Sequence, residues 1–357
     1  MKKTLLALAL IAGFAGAAHA QTSNVTLYGV ADGTFIYTDP KGTGDSTQEI
    51  SSGNLNGSRI GVKGSEDLGG GLKANFQIEG GINMDQGSSA QGGLTWGRQS
   101  WVGLSGGFGE FRVGRQYLAG FMLADAIDPF GTNHGDASTG STISSSANIT
   151  RTNNAVLYLL PAFSGFQAGI GYSTKAAAVG CTAATVGTPA EECAGSGNNP
   201  TAITALGLYA NGPILVGVSY EQINRPNFLA GDDQKHLQVA GTYDLKVVKI
   251  HAAYVKEDDQ FVGGTYGNNS SDSAAYMIGA TAPLGSGLVR FSYQDRNDKS
   301  ATDLDRRVIA LGYTYNLSAR TAFYSWVSDS TIKSGGATDD SNAFARRQLG
   351  VGLRHSF

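Results

Sequence analysis

Few groupings in this 357-residue chain have the spacing that bond-making chemistry needs. Gly103-Leu104-Ser105-Gly106-Gly107 matches the G-x-S-x-G pattern of a nucleophile elbow. That elbow requires a strand-to-helix turn with backbone N–H donors beside the serine. Here the serine sits in a strand-to-strand turn, and a chain this rich in Gly and Ser produces such a match by chance. Gly69-Gly70-Gly71 reads as a hairpin turn rather than a phosphate loop, because no helical pattern follows it. His134, His236, His251 and His355 lack metal-ligand spacing, and Cys181 and Cys193 have no histidines nearby with which to hold zinc. No Ser/His pair falls on one strand face. An enzyme, a metal site and a cofactor are therefore not expected.

What remains is electrostatics. Arg59, Lys63, Lys73 and Arg290 occur in the middles of alternating segments, on the polar face. A long segment from Leu118 to Thr150 carries Asp125, Asp128 and Asp136. Loops beyond ~12–15 residues in a compact fold are usually functional or disordered. Fixed charges of opposite sign on a wall and on such a loop would act on the charge and dipole of a passing solute.

The elements that must position these charges are strands. Gly supplies 51 residues and Pro only 8, as repeated strands require, and no apolar run is long enough for a membrane-crossing helix. The hydrophobic fraction of 41% is below the usual ~45–50%. A closed barrel with a wet interior needs apolar residues on its outer face alone. The last stretch shows the pattern well. Leu349, Val351, Leu353, His355 and Phe357 share one face, and Gln348, Gly350, Gly352, Arg354 and Ser356 share the other. Leu72, Ala74, Phe76 and Ile78 alternate in the same way with Lys73, Asn75, Gln77 and Glu79.

Repeating this rhythm gives about sixteen strands, joined by short turns on one side and long polar loops on the other. Tyr158, Tyr172, Tyr220, Tyr243, Tyr254, Tyr293, Tyr313 and Tyr315 recur near strand ends, as interfacial girdles do. A lectin or adhesin sandwich also has many short strands, but gives no reason for Arg and Lys in strand middles. The expected fold is all-β, a 16-stranded antiparallel transmembrane β-barrel.

At the N-terminus, Lys2 and Lys3, the apolar stretch Leu5 to Ala17 and Ala18-His19-Ala20 have the form of a cleaved signal peptide over residues 1–20. The mature barrel domain would then span 21–357, with 24 basic residues (26 − 2) against 29 acidic ones, a formal charge of −5. That balance argues against a nucleic-acid partner. Export makes a Cys181–Cys193 disulfide plausible, with two free thiols as the alternative.

Several stretches resemble the general porins of Gram-negative bacteria, in their beta-proteobacterial branch. They are residues 25–32 (VTLYGVAD), 58–69 (SRIGVKGSEDLG), Gly114-Arg115-Gln116, residues 312–321 (GYTYNLSART) and the terminal Phe357. His355-Ser356 departs from the Tyr or Thr more usual there. The resemblance spans the mature chain. It implies a homotrimer of barrels in the outer membrane, with short periplasmic turns, long extracellular loops and an inward-folded third loop, here about 118–150. Each barrel would be a water-filled pore for passive diffusion of ions and small hydrophilic solutes. It also implies that the outer-membrane assembly machinery reads Phe357. Asp-rich loops such as Asp258-Asp259 and Asp339-Asp340 could hold divalent cations that bridge lipopolysaccharide, although none has the form of a calcium loop.

At the constriction, loop carboxylates Asp125, Asp128 and Asp136 are expected to face wall basics Arg59, Lys63, Lys73 and Arg151. Arg98, Arg112 and Arg115 are held in reserve, because alternation around them is ambiguous. The acidic balance hints at cations and the wall basics at anions, so anion preference is expected to be modest or absent. A solute-specific channel, or a surface or adhesive barrel acting through its loops, are the alternatives.

Overall fold

The computed structural model describes residues 23–139, 150–176, 200–224, 233–261, 270–299 and 303–357. Sixteen long strands make the wall. They are β1 (Ser23–Pro40), β2 (Arg59–Gly69), β3 (Leu72–Asn83), β4 (Gln99–Gly106), β5 (Gly109–Tyr117), β6 (Arg151–Leu159), β7 (Phe166–Ser173) and β8 (Thr201–Asn211). The second half comprises β9 (Ile214–Asn224), β10 (Gln234–Asp244), β11 (Lys249–Phe261), β12 (Ser270–Leu284), β13 (Gly287–Asp298), β14 (Leu304–Asn316), β15 (Thr321–Ser334) and β16 (Arg346–Ser356). Three shorter strands, Thr47–Ser52, Ser88–Ser89 and Ala337–Thr338, belong to the long loops. The expected signal segment and both cysteines lie outside the described residues.

Each wall strand pairs antiparallel with its neighbour in sequence, and β1 pairs with β16 from Val30↔Ser356 to Pro40↔Arg346, which closes the barrel. The backbones of Gly29 and Phe357 exchange hydrogen bonds at 3.0 and 3.1 Å, so the chain's last residue seals that seam. Closure leaves no unpaired sheet edge in lipid. The short turns gather at one end. At the β2–β3 turn Gly70 and Gly71 have φ of +61° and +81°, which a residue with a Cβ adopts only at a cost.

Alternation sets inside and outside. On β16, Leu349, Val351 and Leu353 are exposed on the outer face, whereas Gln348, Gly350 and Gly352 are buried on the inner one. The same inversion runs around the wall, with Leu27, Val102, Ile170, Val216, Val239, Ile278 and Leu311 all exposed. Bare apolar surface of this extent marks contact with lipid. Exposed Tyr243 and Tyr315 lie toward the short-turn end, and exposed Tyr172 and Tyr276 toward the other, giving two belts.

The conventional core lies inside the lumen, where the third long loop folds in. The helix α1 (Ala119–Ile127) buries Ala119, Leu123 and Ile127 against Leu206, Ala240, Ala253, Val255, Ala275 and Met277 of β8, β10, β11 and β12. Beyond it, Phe130 and Ala137 pack with Ile36, Ala310, Tyr324 and Trp326. The inner face departs from its polar rule where this loop docks, and again at Ala202 and Ile223, which pack with Ala176. Glycines make room for the loop. A Cβ on Gly279 would stand 2.7 Å from the Pro129 ring, and one on Gly312 would stand 2.8 Å from Phe130.

Candidate pore constriction

The loop's two ends meet on the wall, where Leu118 N–H donates to the Thr150 carbonyl at 3.2 Å. From there α1 crosses the lumen and leans on the far wall. Its first turn has no side-chain cap of its own. Instead Ala119 N–H donates to Thr204 Oγ1 (2.9 Å) and Gly120 N–H to Glu221 Oε1 (2.6 Å). At the other end the Ile127 carbonyl meets His251 Nδ1 at 2.6 Å, and the Pro129 carbonyl accepts from Arg290. An acid at the N-terminus and basic groups at the C-terminus complement the helix dipole.

The next turn is organised by Asp128. Its buried carboxylate accepts N–H bonds from Phe130 (2.7 Å), Thr132 (3.0 Å) and Thr139 (2.7 Å), and the Thr139 hydroxyl (2.7 Å). Burial nonetheless raises this carboxyl above its ordinary range. His134 follows with φ +72°, packed edge-on against Phe130, Tyr324 and Trp326. Burial, reinforced by the charge of Arg290, pushes its pKa down to about 3, so the ring is neutral.

Asp136 ends the inward excursion in a two-pronged pair with Arg346 (2.7 and 2.9 Å) and a contact from Arg306 at 2.8 Å. Burial opposes its ionisation, but these two arginines outweigh burial and hold the carboxyl below the usual range. Asp128 and Asp136 thus hold the loop in place rather than face the opening.

Asp125 does face it. It is exposed on α1, touching only the Thr132 hydroxyl at 3.3 Å, and it lines a cleft of about 650 Å³ opposite Arg59, Arg98 and Arg151. The wall side is well braced. Asp32 accepts the N–H groups of Leu55 (2.8 Å) and Asn56 (2.7 Å), which fixes the segment leading into Arg59. Glu79, buried on β3, pairs with Arg98 at 2.7 Å and lies 3.7 Å from Arg59. Tyr28 donates to Glu79 (2.8 Å) and accepts from Gln77 (2.7 Å). Arg151 stacks over Tyr117 (4.5 Å to the ring centre) and donates to its hydroxyl. It has no carboxylate partner among the described residues.

Of the basics expected here, Arg59 and Arg151 are brought together with Asp125, and Lys63 and Lys73 are not. Lys63 sits four residues closer to the short turns, over the Tyr28 ring in a separate 440 Å³ recess with Trp101 and Glu110. Lys73 pairs in register with Asp67 and Ser105 beside the turn. At ~3.3 Å per residue it is about 20 Å along β3 from Glu79.

Arg98 was ambiguous because its strand starts at Gln99, so no alternation governs it. A bulge between Gly114 and Gln116 similarly re-aims Arg115, which binds the Gly97 carbonyl and Asn153. Arg112 lies at the short-turn end, paired with Glu110 at 2.7 Å. Glu79 was not singled out, although its place in the alternation of β3 already put it on the inner face.

The arrangement is a charged gap that holds no grouping for bond-making among the described residues. Among the described residues no cluster of His, Cys, Asp or Glu could hold a metal. A family model described as Gram-negative porin matches residues 7–334. An outer membrane porin protein of Bordetella pertussis is 38% identical over the whole of both chains. Outer membrane porin protein 32 of Delftia acidovorans is 36% identical, over 91% of this chain and 88% of its own. The solved anion-selective porin from Comamonas acidovorans superposes with a TM-score of 0.74 at 30% identity, over 94% of this chain and all of that one. The chain belongs to the Gram-negative porins, and is an outer-membrane barrel that passes ions and small hydrophilic solutes by passive diffusion.

Proposed function

We propose that selectivity is set in the cleft between α1 and the Arg59–Arg98–Arg151 wall, and that it favours anions. The observation that carries this is the charge count. Three guanidinium groups line the cleft, and the carboxyl groups of Glu79 and Asp125 offset two, leaving a formal +1. Arg151 in particular has no carboxylate partner among the described residues. The anion-selective porin named above supports the same sign. This is a stronger preference than overall charge balance suggests, because outer-loop charges lie beyond the ~8–10 Å screening length, whereas cleft charges act on the ion within it. The test is the reversal potential of the purified protein in a planar bilayer under a KCl gradient. A potential on the chloride side is expected, and one on the potassium side would reject the reading.

The same proposal extends to assembly. The mature chain begins at Gln21, a Cys181–Cys193 bridge closes its loop, and three copies associate through their apolar outer faces. A solved relative of the fold, OmpT of Vibrio cholerae, is described in a trimer form. Phe357, exposed at the barrel seam, is positioned for recognition by the assembly machinery, and lipopolysaccharide covers the outer rim. Intact mass under non-reducing conditions checks the first two statements. Conductance steps that close in thirds check the third.

A further inference from the structure

We propose that the cleft is also a recognition subsite for planar aromatic carboxylates, so that the pore concentrates such acids beyond what charge alone would do. The inference rests on reading this cleft as the constriction. Its basis is an aromatic platform that chloride selection does not require. Tyr117, at the end of β5, and Phe121, on α1, stack with ring centres 4.6 Å apart and planes 16° off parallel. Arg151 lies over both rings, at 4.5 and 5.9 Å. Arg98 and Arg151 each donate to the Tyr117 hydroxyl at 2.9 Å. Tyr117, Phe121 and Met122 line the cleft together with Arg59 and Arg151.

The platform therefore joins wall to loop, and among the described residues its cation has no acid partner. A guanidinium held by stacking presents its free N–H edge in plane, where a carboxylate can accept two parallel bonds. An aryl ring attached to that carboxylate would lie against Phe121 and the Met122 thioether, both favourable neighbours for a π-face. A simple inorganic anion uses the charge and leaves the apolar surface wetted. A neutral solute uses neither. Benzoate uses both.

The experiment compares benzoate, cyclohexanecarboxylate and acetate as blockers of KCl current through single pores, with reversal potential measured in the same membranes. Benzoate should reach half-block at about threefold to tenfold lower concentration than cyclohexanecarboxylate, which matches its charge and bulk without a π-face. In Phe121→Leu that ratio should fall to about one. Arg151→Lys, which keeps the charge and loses the planar stacked group, should lose it too, and serves if Phe121→Leu does not assemble. Equal block by the two acids in the wild type, with chloride preference intact, would overturn the subsite and leave the constriction standing. A benzoate preference that survives both substitutions would overturn it as well. Absence of both benzoate preference and chloride preference would remove the constriction itself.

Discussion

Replacing Arg151 by Gln removes one unit of positive charge from the cleft without removing its bulk. The count of +1 becomes zero, since Arg59 and Arg98 are then balanced by Glu79 and Asp125. A unit charge at ~4 Å acts on a hydrated ion with about 1 kcal/mol in a water-like dielectric. The substitution takes this from the anion and relieves the cation of the same amount, so the ratio of permeabilities changes by about 2 kcal/mol at most. At ~1.4 kcal/mol per factor of ten this is roughly thirtyfold. Salt screening and passage at larger distance reduce it, to about threefold at 0.1 M. The assay is reversal potential under a tenfold KCl gradient, with Asp125→Asn as the opposite perturbation and Lys73→Gln as a charge change ~20 Å away along the strand. Arg151→Gln should move the pore toward potassium, Asp125→Asn toward chloride, and Lys73→Gln much less than either. Equal shifts from Arg151→Gln and Lys73→Gln would refute the reasoning, because selectivity would then follow the lumen's total charge.

Other expectations concern the loop. Gly312→Ala places a methyl 2.8 Å from Phe130 and should push the loop into the opening, lowering single-channel conductance at a stability cost of about 1–3 kcal/mol. Asp136→Ala strands Arg306 and Arg346 without their shared partner and should weaken docking by about 3–5 kcal/mol, seen as closure at lower voltage. Acidification from neutral to pH 4 should leave the Asp136 pair intact, because a carboxyl whose folded pKa is depressed loses its contribution only as pH falls through that lowered value. His134 behaves differently. With a folded pKa of about 3, it resists a proton that the undocked loop accepts near 6.5, so docking should weaken by up to about 1.4 kcal/mol per pH unit between those values. His134→Phe should flatten that slope in a measurement of closing rate against pH.

The barrel was readable from the chain because its signal is redundant. A residue such as Leu353 must face lipid and Gly352 the lumen, and the same rule recurs on all sixteen strands, so an error of two residues at one end changes nothing. The short turns reinforce it, since Gly70 and Gly71 adopt a backbone that few other residues would. Strand ends were less legible on the long-loop side. β12 begins in the polar run Ser270-Ser271-Asp272-Ser273, and β15 runs on through Ser328-Asp329-Ser330-Thr331 to Ser334, where its partners on β14 include Leu304, Val308 and Ile309.

The proposed constriction rests on a single loop, and alternation stops where that loop begins. Three carboxylates lie within twelve residues of one another in the loop, and their types are identical. What separates them is the docking of α1. Asp125 follows Leu123 and precedes Ile127, the residues buried on the far wall, and so it projects into the gap. Asp128 lies just past the helix end, where N–H groups of the following turn converge on it, and Asp136 reaches the arginines of β14 and β16. Local pattern does not separate these fates, because Asp125 is aimed by the packing of Leu123 and Ile127 on distant strands and Asp136 by arginines of β14 and β16, whereas Asp128 is held mostly by its own turn. The wall follows the same logic. Lys63 and Lys73 share the inner face with Arg59 and Glu79, so alternation placed all four in the lumen. Height along the barrel decides which of them meets the loop, and height follows from strand register and from the point where Tyr117 gives way to α1. A charge's face can thus be read locally, whereas its partner across water has to be read from the assembled barrel.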